Sequence, residues 1–229
     1  MKKQEVLAKL QSLANPVNVA GMARYGINPM NTLGVSINVL RGIAKEIGKN
    51  DALADELWAS GIHEARVLAS YIADPAETTE ERMERWAADF DSWDVCDQVS
   101  GFFEETPFAY QKAVEWSARH EEFVKRAAFA IMAGLAVHDK KADDSQFEQF
   151  LAIIIRESDD ERNFVKKAVN WALRNIGKRN RRLNGKAIDT ARQIQEIDSR
   201  SARWIAADAL RELTAEKTQG KLRDSQAKR

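Results

Sequence analysis

The stretch Phe123-Val124-Lys125-Arg126-Ala127-Ala128 returns as Phe164-Val165-Lys166-Lys167-Ala168-Val169, forty-one residues later. Both copies carry apolar residues at helical spacing, and Asp144 to Ile155 reads as a further helix between them. The same periodicity extends outward. Val6, Leu7, Leu10 and Leu13 mark a first helix, ended by Asn15-Pro16. Leu33 to Ile47 reads as another, and Asp51 as the N-cap of a helix through Leu53, Leu57 and Trp58. Ile62 to Ile72, Thr78/Thr79 through Phe90, Val95 to Phe103 and Phe108 to Arg119 follow. Asn15 to Pro29 reads as a loop rich in Gly, Asn and Pro. Prolines occur only at 16, 29, 75 and 107, so little interrupts these helices. No alternating strand pattern is present.

Helix pairs recurring at about 40–47 residues are the pattern of HEAT-type repeats. The expected fold is therefore all-α, with HEAT-like helical repeats stacked into a curved solenoid. Each pair buries one face against its neighbours and leaves a concave face open. One such domain is expected over residues 1–213. Residues 214–229 are short of apolar side chains and read as a helix end or flexible tail.

The 229 residues carry 35 Lys+Arg and 35 Asp+Glu, a net charge of zero, which taken whole argues against a polyanion partner. The distribution reverses that. Residues 1–119 hold 12 cations and 18 acids, and residues 120–229 hold 23 and 17. Such asymmetry can mark a nucleic-acid surface. The most basic stretch, Arg162 to Lys186, contains nine cations and no acid. Part of it, Gly177 to Arg182, reads as a helix end entering a loop, where cations complement the dipole. Nine exceed what capping needs, so contact with phosphate is the favoured reading, with Asn180, Asn184 and backbone amides assisting.

The single cysteine, Cys96, excludes an internal disulfide and a multi-cysteine zinc site. The three histidines have no ligand spacing, and no metal site or cofactor is expected. No metallohydrolase, P-loop, dinucleotide or nucleophile-elbow motif is present. No apolar run is long enough to span a bilayer, and Met1 to Glu5 is unlike a signal peptide. The expectation is a cytoplasmic monomer without membrane partners.

In Asp91-Ser92-Trp93-Asp94-Val95-Cys96-Asp97, a helix would place Trp93 and Asp97 on one face, a turn apart. Such a face is either an awkward piece of core with an exposed acid or a pocket with chemistry in it. Trp171 poses the same choice, with Arg174 on its face and Asn170 and Asn175 beside it.

Four segments resemble the AlkD-type DNA alkylation repair proteins, DNA glycosylases built from HEAT-like repeats. Met22-Ala23-Arg24-Tyr25 is similar to an early Met-Ala-Arg-Tyr segment of that family, and Trp93 to Asp97 to its Trp-Asp-x-x-Asp signature. Lys125 to Ala128 resembles its Lys-Arg-Ala-Ala helix, and Phe164 to Arg174 its Lys-Ala-x-x-Trp-x-Leu-Arg helix. The segments occur in the same order, over about residues 20 to 213. The resemblance implies catalytic roles for Asp97, Trp93 and Trp171 around a lesion's deoxyribose, with Arg126 nearby and Tyr25 on the same face. DNA contacts would come from these two and from Lys166, Lys167, Arg174, Lys178, Arg179, Arg181 and Arg182. The activity implied is hydrolysis of the N-glycosidic bond of N3- or N7-alkylated purines in duplex DNA, in a bacterial cytoplasm at the nucleoid. Two other readings stand beside it: a noncatalytic binder of damaged or branched DNA, and a helical-repeat protein scaffold.

Overall fold

The computed structural model describes residues 1–223. These residues form fourteen α-helices and no strand. They divide into two compact units, one from Met1 to Pro107 and the other beginning at Phe108.

The first unit contains α1 (Lys3–Ser12), α2 (Pro16–Arg24), α3 (Ile37–Ile47), α4 (Asp51–Trp58), α5 (His63–Ile72), α6 (Glu80–Ala88) and α7 (Trp93–Phe103). The region expected to be a loop at 15–29 contains α2. Asn15 is its N-cap, accepting from the amides of Val17 and Asn18, and Pro16 is its first residue. An N-cap Asn followed by Pro is a helix start, because Pro lacks only an N–H that would be orphaned there anyway. Asn50, not Asp51, caps α4, accepting from Leu53 N. Asp51 instead takes Arg82, whose guanidinium also reaches Asp55 at 2.9 Å and ties α6 to α4. Beneath this staple, Trp58 and Trp86 stack with centroids 4.3 Å apart. Phe90, Phe102 and Phe103 close the cluster.

The second unit contains α8 (Ala109–Ser117), α9 (Glu122–His138), α10 (Asp144–Arg156), α11 (Asn163–Gly177), α12 (Arg181–Gln195), α13 (Arg200–Leu213) and α14 (Glu216–Gln219). The repeated hexamers open α9 and α11, and their Phe123 and Phe164 rings lie 5.7 Å apart. Helix α9 packs on α11 and α11 on α13, while α10 packs between α8 and α12. The unit is thus two layers of helices, each hairpin contributing one helix to each layer. The turn at 178–180 is shorter than expected, since Arg181 and Arg182 begin α12 behind the N-cap Asn180. Gly177 permits the end of α11 to pack closely against α12 and α13. A Cβ there would lie 2.6 Å from a Leu213 methyl and 2.9 Å from Ala187.

Beyond residue 213 the chain folds back on α12. Leu222 is buried, and Arg181 N donates to Arg223 O. The rest of the expected tail, Asp224 to Arg229, lies outside the described residues. No described helix is long and apolar enough to cross a membrane.

Candidate functional site

Helix α7 buries Val95, Cys96, Val99, Phe102 and Phe103 on its inner face. The opposite side carries Trp93 and Asp97, both partly exposed. One turn separates them, so indole and carboxylate share a face as their spacing predicted. Trp93 is anchored at its edge: its Nε1–H donates to the backbone carbonyl of Tyr25 at 2.9 Å. That carbonyl belongs to the C-cap of α2, and the Tyr25 side chain itself is 75% exposed. Two expected site residues are therefore brought together, through the main chain of one and the side chain of the other.

The segment after Tyr25 is fastened to two helix starts. Asn28 N donates to Ser92 Oγ at 2.8 Å, and Asn28 Nδ2 to Asp91 Oδ2 at 3.0 Å. Ser92 is the N-cap of α7, but its hydroxyl serves this contact and makes no side-chain capping bond. On the other side, Glu64 is 1% exposed. Its carboxylate accepts from the amides of Leu33 (2.8 Å), Gly34 (2.6 Å) and Val35 (3.3 Å). Three consecutive amides facing one anion make a backbone nest. Gly34 is needed there: its φ is +78°, and a Cβ would sit 2.4 Å from Asn15 O.

Below Trp93, Asp94 meets His63, with Nε2 to Oδ2 at 2.9 Å. The two side chains are 6% and 19% exposed. Burial pulls the imidazole pKa down, but the hydrogen bond and charge of Asp94, with Glu64 and Asp91 behind it, raise it overall. Asp94 Oδ1 is out of solvent and has no hydrogen-bond partner among the described residues. Neither His63 nor Glu64 stood out in the sequence. His63 lies thirty-one positions before Asp94, too far for a local pattern, although a His at a helix start beside a Glu was a usable hint.

In the second unit, Trp171 on α11 is partly exposed, whereas Ala172 and Leu173 beside it are fully buried. Arg126 on α9 is 6% exposed, and it donates to Phe164 O at 2.6 Å. This bond joins the two copies of the hexamer.

Most of the nine cations are engaged within the fold. Along the α11–α13 seam, partners recur thirty-eight positions apart. Lys166 Nζ lies 5.5 Å from the Trp204 ring centroid. Asn170 Nδ2 donates to Asp208 at 2.7 Å, and Arg174 pairs with Glu212. Lys178 reaches the other Glu212 oxygen at 2.8 Å. These pairs hold the Glu212 pKa below its usual value against the opposing effect of burial. Arg179 donates to Ala136 O and Ala142 O and covers the Phe147 ring at 4.3 Å, closing the end of α9. Arg182 pairs with Glu148 at 2.6 Å, and Arg162 with Asp160 at 2.6 Å. Arg181 is exposed on the first turn of α12, and Lys167 is exposed on α11. Asn180 and Asn184 are buried caps, not surface groups. Among the described residues no group of three or more His, Cys, Asp or Glu is placed to hold a metal ion.

The model of the DNA alkylation repair enzyme family matches residues 6–213. The chain belongs to that family. Its fold is that of a solved protein described as one of a new family related to the HEAT-like repeat DNA glycosylases, with affinity for branched DNA structures. The TM-score is 0.78 at 21% identity, covering 99% of each chain. An engineered protein and a designed armadillo repeat protein match with TM-scores of 0.39 and 0.36, at 15% and 17% identity. They cover 77% of this chain and 91% and 92% of their own. Scores that low carry no argument. No curated protein matches the sequence. Family membership and the HEAT-like fold agree with the resemblance drawn from the four segments.

Proposed function

We propose that this protein is a DNA glycosylase that releases cationic N3- or N7-alkylated purines from duplex DNA, with Asp97 as its central catalytic group. The observation that carries the reading is the exposed face of α7, where Trp93 and Asp97 stand one turn apart within a family of DNA alkylation repair enzymes.

Alkylation at N3 or N7 gives the purine a positive charge. As the C1′–N bond breaks, its electron pair goes to the base, which leaves neutral, and the positive charge moves to the sugar. Asp97 beside C1′ stabilises that oxocarbenium character electrostatically, most strongly where water is sparse. Water then adds to C1′, and its proton passes through the Asp97 carboxylate to solvent. The indole face of Trp93 adds cation–π attraction of about 1–2 kcal/mol when desolvated, and Trp171 offers an indole face of the second unit to DNA. The bond from Trp93 Nε1 to the Tyr25 carbonyl supports this role, because it limits rotation of the ring. DNA backbone contacts fall to Lys166, Lys167 and the other surface cations, Arg181 among them, whose interactions can be exchanged for phosphate. Arg126 and Arg179 contribute by positioning helices.

One observation favours a second reading, a noncatalytic binder of branched DNA: the structural neighbour at TM-score 0.78 is described by that affinity. A duplex containing one 7-methylguanine separates the two. Free 7-methylguanine released at a rate proportional to enzyme supports the glycosylase. Binding without release supports the second reading.

A further inference from the structure

The ion pairs of the α11–α13 seam leave the open question of which cations remain for phosphate. Lys217 and Lys221 are exposed, and neither has a carboxylate partner among the described residues. Both line a groove of about 520 Å³ together with Lys178, Thr218, Glu212 and Leu222. The match to the family ends at residue 213, so Lys217, Thr218 and Lys221 lie outside the part of the chain that it accounts for.

This segment is held in place. Gln219 Nε2 donates to Asn184 Oδ1 at 2.9 Å and to Leu213 O at 2.6 Å. Leu222 is 7% exposed, and Arg223 O accepts from Arg181 N at 2.9 Å. The backbones that carry these exposed lysines are thus fixed. The lining carries three ammonium groups, those of Lys178, Lys217 and Lys221, and one carboxylate, Glu212. That carboxylate, Glu212, already lies between Arg174 and Lys178, so little of its charge is left to repel an anion.

We propose that this groove is a subsite for a backbone phosphate of DNA. Lys217 and Lys221 contact the phosphodiester and Thr218 donates its hydroxyl, while Lys178 stays paired with Glu212. The proposal rests on the reading of the protein as a DNA binder and extends its footprint beyond the family's span.

A salt titration of binding to an unmodified duplex tests it. The proteins compared are the wild type, Lys217→Gln/Lys221→Gln, the charge-keeping Lys217→Arg/Lys221→Arg, and Lys140→Gln/Lys141→Gln as a control with matched charge loss elsewhere. Melting temperatures establish that each is folded. Two lost phosphate contacts should flatten the slope of log K against log salt by about 1.8 in the Gln variant. The Arg variant should keep the wild-type slope, and the control should change it much less. An unchanged slope in the Gln variant, or an equal loss in the control, overturns the subsite while leaving DNA binding intact. No binding by the wild type overturns both the subsite and the function it rests on.

Discussion

His63 Nε2 lies 2.9 Å from Asp94 Oδ2 directly beneath the turn that presents Trp93. A carboxylate with one oxygen out of solvent and unbonded is costly to leave without a counter-ion. The raised imidazole pKa favours protonated His63 as that counter-ion. Its stabilising contribution is complete below the ordinary histidine value of about 6.5 and is lost as pH rises through the higher folded-state value. We expect His63→Leu to cost about 3 kcal/mol at low pH, with the gap to wild type narrowing as pH rises. Melting temperature measured against pH for both proteins checks this. A gap that widens with pH would contradict it.

Glu64 organises the segment from Leu33 to Val35 through three amides. Glu64→Ala leaves those buried donors unpaired, at about 1 kcal/mol or more each. The expected result is a loss of about 3 kcal/mol and early proteolytic cleavage between Tyr25 and Ser36. Denaturant unfolding and limited proteolysis report the two effects separately.

Trp93→Phe keeps an aromatic face but loses the pyrrole ring with the N–H that meets the Tyr25 carbonyl. Base release should fall several-fold while stability falls by about 1 kcal/mol, the value of one exposed-edge hydrogen bond. Trp171→Ala should likewise reduce release more than it reduces melting temperature, since Trp171 is not fully buried. Proportionate losses in Trp171→Ala would return that residue to the core.

Glu212→Gln removes the acid shared by Arg174 and Lys178. Partly exposed pairs near the surface contribute about 1 kcal/mol, so stability should fall only slightly. The two cations become available to phosphate, and affinity for duplex DNA should rise with a steeper salt dependence. Weaker binding by this variant would show that the seam, not its cations, is what DNA requires.

The repeated hexamers announced α9 and α11 because core-facing apolar spacing is local. The face shared by Trp93 and Asp97 was legible for the same reason. The start of α2 was also written locally, in Asn15-Pro16, but the Gly and Asn that follow disguised it. What could not be read along the chain were partners supplied by another helix. Arg162 to Lys186 contains no acid, yet Glu148 on α10 and Asp208 and Glu212 on α13 neutralise much of it. His63 and Asp94 were hidden in the same way, since helix packing and not spacing joins them.

The central claim is most directly tested by single-turnover release of 7-methylguanine from duplex DNA by Asp97→Asn beside the wild type, with DNA affinity measured on the same preparations. Loss of nearly all release with affinity retained is the predicted result. Release by Asp97→Asn at the wild-type rate would contradict it.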